Sequence, residues 1–244
     1  MPVKSYASKI TFHVKSKGKG YMPGLKNDWI RVKTDVGETF GGNQKNCDLE
    51  ILQKAGCGVI GATDLMLYLG KYHPRYSSLE FFWKKDALKL EEYRKFTKKL
   101  WNKYLFVIPG HGMSGFVLAL GMDIYFLTHK IPLFAQWGVR PRKLQQRIDH
   151  MLKQELPVIL SVGPNLPFFW RKKKLNLYTK ENGKYRIANE TRGHYMTIVE
   201  RKGRWLRVSS WGKEYYVDGK EYLQFMSKYS NCIMNNILYI RKLK

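Results

Sequence analysis

Apolar and polar positions divide the chain into a helical first half and a strand-rich second half. In the first half, apolar residues recur at helical spacing, most densely after Cys57. The pattern predicts helices over residues 57–69, 78–103 and 115–127, and over a segment that Pro141 opens. The first of these is apolar on nearly every side and is predicted to be buried. Gly70 is its predicted end, and Ser78 is the predicted N-cap of the second helix.

The pattern changes to that of β-strands near Pro157. Residues 157–162 form a continuous apolar run typical of a buried strand. Further strands are predicted at residues 174–178, 185–188, 195–200, 205–210, 215–217 and 237–241. Two short strands, Ile10–Val14 and Trp29–Val32, are predicted before the first helix. A helix-rich half followed by a strand-rich half is typical of the α+β class.

Length and cysteine content narrow the class of protein further. The 244 residues, 44% of them hydrophobic, can bury a large core. Three cysteines, Cys47, Cys57 and Cys232, are too few and too odd in number for a disulfide framework. They form no CxxC pair and no zinc-finger spacing, so we expect neither a structural metal nor a cofactor.

The apolar segments do not predict a membrane protein. The first residues lack the apolar stretch of a signal peptide. The longest apolar region, residues 113–131, is interrupted by Gly115, Gly121, Asp123 and His129, which favours a buried helix over a membrane span. We therefore expect a soluble, cytoplasmic protein.

The chain is strongly basic, with 44 Lys and Arg against 19 Asp and Glu and a net charge of +25. Basic clusters lie at residues 94–99, 140–143, 171–174 and 241–244. Such clusters are typical of proteins that bind nucleic acid, acidic polypeptides or anionic surfaces. No nucleic-acid recognition motif accompanies them, so nucleic acid is an alternative partner that no motif supports.

Cys57 lies at the predicted start of the buried helix, between Gly56 and Gly58. A thiol in the first helical turn faces unpaired backbone N–H groups and the positive end of the helix dipole, which favour the thiolate. The two glycines leave space beside the sulfur for a substrate backbone. These features favour a nucleophile over the alternative, an inert buried cysteine.

His194 opens a strand that a tight turn joins to the next one. With Lys202-Gly203 as the two-residue turn, Met196 lies opposite Ser209, and Ser209 becomes a diagonal neighbour of His194. A shift of one residue would place Ser210 beside the imidazole instead. The hairpin therefore predicts a histidine with a serine hydroxyl as its neighbour.

These segments together resemble the papain-like cysteine peptidase superfamily. The likeness rests on Gly-Cys-Gly at a helix start, a later Gly-His-Tyr strand and Ser-Ser-Trp-Gly on the strand after it. It covers roughly residues 40–225 and is closest to the bacterial branch related to bacteriocin-leader peptidases. The resemblance implies one papain-like domain over residues 1–244: an N-terminal strand and loop extension (1–46), a helical lobe carrying the cysteine on a central buried helix (47–155), and a C-terminal lobe with an antiparallel sheet (156–244).

The resemblance also implies roles for individual residues. Cys57 corresponds to the nucleophile and His194 to the general base. The family stabilises the oxyanion with the cysteine N–H and a glutamine upstream of the cysteine. Gln44, in Gly-Gly-Asn-Gln, matches that glutamine, whereas Gln53 is too close in sequence for the usual spacing.

The third catalytic position departs from the family. Papain-type enzymes have Asn there and the bacteriocin-leader branch usually has Asp, whereas this chain has Ser209. A serine hydroxyl can accept from the imidazole but carries no charge to stabilise an imidazolium. A carboxylate such as Asp218 is an alternative third member.

The resemblance thus implies a thiol hydrolase that acts on a peptide or amide bond of a polypeptide substrate. The same residues support deamidation or acyl transfer. A non-catalytic binding module on the same fold and a basic nucleic-acid-binding protein are the alternatives. The aromatic segment Pro167–Trp170 and the loop around His111 are candidates for lining a cleft.

Overall fold

The computed structural model describes residues 23–76, 86–165 and 173–243. Three predicted features lie outside these residues: the strand Ile10–Val14, the helix start at Ser78 and the aromatic segment Pro167–Trp170. The described residues form an α+β fold in which helices pack on a large antiparallel sheet.

The described part of the chain contains six α-helices: α1 (Glu50–Ala55), α2 (Cys57–Tyr72), α3 (Leu90–Lys103), α4 (Gly115–Thr128), α5 (Leu144–Lys153) and α6 (Gly219–Tyr229). Its first strands are β1 (Arg31–Thr34), β2 (Gly37–Phe40), β3 (Leu88–Lys89), β4 (Leu133–Trp137) and β5 (Val158–Val162). The remaining strands are β6 (Leu175–Glu181), β7 (Lys184–Thr191), β8 (His194–Lys202), β9 (Trp205–Ser210), β10 (Lys213–Asp218) and β11 (Ile237–Lys242).

Two sheets organise these elements. A small sheet has the order β2-β1-β3, and the large sheet has the order β4-β11-β5-β8-β9-β10-β6-β7. Neighbours in the large sheet are antiparallel. The strand β4 lies between α4 and α5, so the large sheet includes one strand from the mainly helical part of the chain.

Helix α2 lies at the centre of the molecule and packs against β8. Its residues from Gly58 to Gly70 are all buried, because it is apolar on nearly every side. At Gly61 the helix comes close to the sheet, since a Cβ there would stand 3.5 Å from Ile159 and 3.6 Å from Thr197. The predicted burial of this helix is confirmed.

The ends of α2 have different causes. It begins at Cys57, because Gly56 adopts a non-helical conformation as the N-cap. The predicted end at Gly70 is wrong, because the helix continues to Tyr72 and the N–H of His73 bonds to Leu69. Gly70 itself is buried, and its low helix propensity does not end the helix.

The other predicted elements compare well with the structure. The strands predicted from Pro157 onward are all present, with ends shifted by up to three residues. In the described residues of the predicted helix 78–103, a short strand at Leu88–Lys89 precedes the helix, which begins at Leu90. Helix α6 was not predicted; Asp218 caps it, accepting from the N–H of Lys220 at 2.9 Å.

Candidate active site

The hairpin of β8 and β9 determines which serine meets His194. Lys202 pairs with Trp205, so the turn residues are Gly203 and Arg204, one position later than predicted. Gly203 has φ +59°, which suits a tight hairpin turn. The register then shifts at a β-bulge between Ile198 and Glu200. Beyond the bulge Thr197 lies opposite Ser209, where the sequence predicts Met196.

Because of this one-residue difference in register, Ser210 and not Ser209 is the neighbour of the His194 imidazole. The distance from His194 Nε2 to Ser210 Oγ is 2.8 Å. Ser209 points to the other face, where its hydroxyl donates to the Phe40 carbonyl at 2.8 Å. The prediction that Ser209 contacts His194 is therefore wrong, because a shift of one residue moves side chains to the opposite face.

The His194 ring is buried and enclosed by an aromatic neighbour. Only 7% of the residue is exposed, and its ring stacks on Trp211 with centroids 4.2 Å apart. Burial lowers the pKa of His194 to about 3, so the ring is neutral at physiological pH. A neutral imidazole has a lone pair that can accept a proton, but a pKa this far below neutral makes it a weak base in the resting site.

Cys57 is the first residue of α2 and is partly exposed. Burial of the sulfur raises the pKa of Cys57, and backbone hydrogen bonds at Tyr195, Gly58 and Cys57 itself lower it by less. The thiol is therefore favoured, whereas the position at the helix start predicts a thiolate. Cys57 and His194 thus form a neutral thiol and a neutral imidazole at rest.

One pocket brings together the side chains that the sequence singles out. Its lining includes Gln44, Cys57, Asp64, His194, Ser209, Ser210 and Trp211. The free space for solvent at its centre is about 10 Å³, close to what a single water molecule needs. Within the part of the chain that the structure describes, no hydrogen bond joins the Cys57 thiol to His194; the two share the lining of this pocket.

The two candidate oxyanion donors lie in different places. Gln44 begins a short 3-10 helix and lines the pocket. Its Nε2 donates to the Gln53 carbonyl at 2.8 Å, and its buried Oε1 has no hydrogen-bond partner. Gln53 is exposed, does not line this pocket, and donates to the Cys47 carbonyl at 2.6 Å. The structure therefore brings Gln44, and not Gln53, to Cys57.

Asp218 does not line the pocket, and neither do the residues that it contacts. It is 1% exposed, caps α6 through Lys220 and forms a salt bridge with Arg204. Arg204 belongs to the turn between β8 and β9, and Lys220 belongs to the start of α6. The described contacts of Asp218 do not include His194, so they do not support Asp218 as the third member. The loop residue His111 is exposed and does not line the pocket either.

The remaining cysteines have other environments. Cys47 is buried, and burial raises its pKa to about 11, followed in effect by the charge of Asp48. Cys232 is exposed. Neither lines the pocket, so Cys57 is the thiol of this site.

The sequence analysis missed Asp64, which lies seven residues after Cys57 on α2. It is 2% exposed and lines the same pocket. Burial raises its pKa to about 7, with hydrogen bonds from Tyr93 and Gly42 lowering it by less. The available signal was a single acidic residue within an otherwise apolar helix.

The comparisons give no relative for this chain: no protein-family model, curated protein or solved structure matches it. Among residues 23–76, 86–165 and 173–243, no group of three or more His, Cys, Asp or Glu could hold a metal ion. In the same ranges, no helix has the length and apolar character needed to cross a membrane.

Proposed function

We propose that the protein is a thiol hydrolase of papain-like architecture that cleaves a peptide or amide bond through Cys57 and His194. The observation that carries the proposal is the convergence of three distant segments on one pocket. Cys57 comes from the start of α2, His194 from the start of β8, and Gln44 from the loop before α1. A helix-start thiol, an imidazole and an amide donor are the groups that acyl transfer to sulfur requires.

The contact with Ser210 is compatible with either tautomer of His194, and the proposed mechanism uses the one in which Nε2 carries the proton. When Nε2–H donates to Ser210 Oγ, Nδ1 carries the lone pair and is free to take the thiol proton. Because thiol and imidazole are both neutral at rest, this transfer accompanies attack rather than preceding it. Trp211 covers one face of the ring by stacking on it.

The reaction then proceeds in two steps. As the proton passes to Nδ1, the Cys57 sulfur bonds to the substrate carbonyl carbon, and the carbonyl oxygen takes the electron pair. The Cys57 N–H and the Gln44 amide donate to that oxygen. The intermediate collapses as the imidazolium protonates the leaving amine, and the C–N bond breaks. Water, deprotonated by His194, releases the acyl group from the thioester and restores the thiol.

Ser210 supports this chemistry less strongly than a carboxylate would. It can hold the imidazole in one orientation but adds no charge to stabilise the imidazolium. We therefore expect a low rate of turnover. The alternative of a non-catalytic binding module is favoured by the small size of the pocket that Cys57 and His194 line, which has about 10 Å³ of free space.

The test uses p-nitrophenyl acetate and a peptide library with purified protein. We expect release of p-nitrophenolate and a mass increase of one acetyl group on Cys57. Both should disappear in Cys57→Ala and fall by at least about a hundredfold in His194→Ala. The control Cys232→Ala removes an exposed thiol outside the pocket and should leave both unchanged. Acetylation that is equal in Cys57→Ala and the native protein, with no peptide cleaved, favours the binding module.

A further inference from the structure

The carboxyl group of Asp64 connects the cysteine helix to the segment that leads to Gln44. Its Oδ1 accepts from the Gly42 N–H at 3.0 Å, and its Oδ2 lies 3.2 Å from the same nitrogen. The Tyr93 hydroxyl of α3 donates to Oδ1 at 2.7 Å. One buried side chain thus joins α2, α3 and the loop after β2.

The two glycines of Gly-Gly-Asn-Gln are explained by this contact. A Cβ on Gly42 would lie 1.8 Å from the Tyr93 hydroxyl oxygen. A Cβ on Gly41 would lie 2.6 Å from Asp64 Oδ2 and 2.3 Å from Ser209 Oγ. Gly41 also has φ +76°, which side chains rarely adopt. The loop therefore lies against Asp64 at a distance that only glycine permits.

The histidine hairpin also holds this loop. Ser209 donates to the Phe40 carbonyl at 2.8 Å, and the Phe40 N–H donates to the Gly212 carbonyl at 2.8 Å. Two residues beyond Gly42 is Gln44, whose amide lines the Cys57 pocket. The position of that amide thus follows from the position of the loop.

We propose that Asp64 is a positioning residue, which holds the Gln44 amide at the Cys57 pocket by anchoring Gly42. The proposal rests on the proposed function, in which Gln44 donates to the oxyanion. Asp64 does not touch the reacting atoms and acts through the backbone of the loop. Loss of its side chain should therefore affect reactions that build charge on a carbonyl oxygen, and should spare those that do not.

Two probes separate these reactions at Cys57. In acetylation by p-nitrophenyl acetate, the S–C bond forms, the carbonyl oxygen gains charge, and p-nitrophenolate leaves. In alkylation by iodoacetamide, the S–C bond forms as iodide leaves, and no charge builds on a carbonyl oxygen. In both, the thiol proton passes to His194 or to solvent. The ratio of the two rates isolates the oxyanion contribution from the reactivity of the sulfur.

We expect Asp64→Ala to lower the ratio of acetylation to alkylation by at least about tenfold, since an oxyanion donor contributes about 10²–10³ in rate. Asp64→Asn keeps an oxygen that can accept from Gly42 and should stay within about threefold of the native ratio. Gln44→Ala should lower the ratio as Asp64→Ala does. Adding Asp64→Ala to Gln44→Ala should lower it no further, because the two residues act through one contact.

Asp123→Ala is the matched control. Asp123 is also an aspartate on a helix that accepts a backbone N–H, that of Ala135 at 2.6 Å, but it does not line the pocket. Its ratio should equal that of the native protein. If Asp64→Ala does not fold, as judged by near-ultraviolet circular dichroism, Asp64→Ser replaces it with the same expectation, because its side chain is too short to anchor Gly42.

Four results would overturn the inference. An unchanged ratio in Asp64→Ala, or an equal further loss when it is added to Gln44→Ala, removes the role of Asp64 but leaves the proposed function standing. A drop in Asp123→Ala as large as in Asp64→Ala shows a general loss of stability. A native protein whose Cys57 is alkylated but never acetylated removes the proposed function, and the role of Asp64 with it.

Discussion

His194 Nε2 lies 2.8 Å from the Ser210 hydroxyl, while the neighbouring Ser209 points away to the Phe40 carbonyl. Two adjacent serines thus have separate tasks. Ser210 orients the proposed base, and Ser209 fixes the loop that precedes the cysteine helix. The pair allows a direct comparison of the two roles by the same substitution.

Ser210→Ala should lower the acetylation rate of Cys57 by about tenfold, because the imidazole loses the hydroxyl that holds its orientation. Ser209→Ala should instead lower the free energy of unfolding by about 1–2 kcal/mol, since a buried carbonyl loses its donor. Acetylation kinetics and urea denaturation of the two variants measure these effects. Larger loss of acetylation in Ser209→Ala than in Ser210→Ala would contradict the assignment.

The Cys57 thiol should react slowly with iodoacetamide at pH 7 compared with free cysteine. Burial raises the pKa of Cys57, and the thiolate is the reactive form. The measurement is the alkylation rate between pH 6 and 11 in a variant carrying Cys47→Ala and Cys232→Ala, so that one thiol remains. The rate should still be rising above about pH 9. A plateau below pH 8 would show a preformed thiolate and contradict this expectation.

Burial of neutral His194 should make the protein less stable in acid. Its pKa is about 3 in the fold, below the ordinary value of 6.5. The unfolded chain therefore binds the proton more tightly, so this contribution is present above about pH 6.5 and is lost as the pH falls toward 3. The shift corresponds to about 5 kcal/mol at most.

The variant His194→Gln has no ring to protonate and should lack this part of the acid destabilisation. Urea denaturation of native protein and variant from pH 7 to pH 4 measures the difference. Parallel curves for the two proteins would show that His194 is protonated in the fold.

Asp64 should have the opposite pH dependence. Its pKa is about 7 in the fold against an ordinary value of 3.8. The folded protein binds this proton more tightly, so the contribution is present below about pH 4 and is lost as the pH rises through about 7. The loss amounts to about 4 kcal/mol at most.

The side chain at position 64 cannot ionise in Asp64→Asn. Its contribution to the free energy of unfolding should therefore stay constant from pH 5 to pH 9. The free energy of unfolding of native protein minus that of Asp64→Asn should therefore decrease across that range. Asp123→Asn, whose carboxyl lies outside the pocket, provides the control. A difference that does not change with pH would show that Asp64 is ionised throughout.

Local patterns predicted the elements that carry the site but not every contact within it. The glycines around Cys57 and the apolar run after it predicted the buried helix, because both signals are local. The alternation after His194 predicted β8 and β9 in the same way. The resemblance of Gly-Gly-Asn-Gln to the family's loop favoured Gln44 over Gln53, which is too close to Cys57 for the usual spacing, and Gln44 is the one that lines the pocket.

The contacts that were missed depend on geometry that no local pattern encodes. The bulge between Ile198 and Glu200 has no distinctive residue, yet it decides which serine meets the imidazole. The raised pKa of Cys57 follows from the packing of distant strands around the sulfur. Asp64 draws its importance from Gly42 and Tyr93, which are 22 and 29 residues away.

The β-bulge places one extra residue in β8 and thereby shifts the pairing of β8 with β9 by one position. Every residue before it on β8 meets β9 one place out of step with the pairing at the turn. In most hairpins such an insertion would remove a side chain from its partner. Without the bulge, the pairing at the turn would continue along β8 and place Met196 opposite Trp211, so that Trp211 and not a serine would be the diagonal neighbour of His194. The bulge moves Ser210 into that place, and it therefore supplies the hydroxyl that the imidazole contacts.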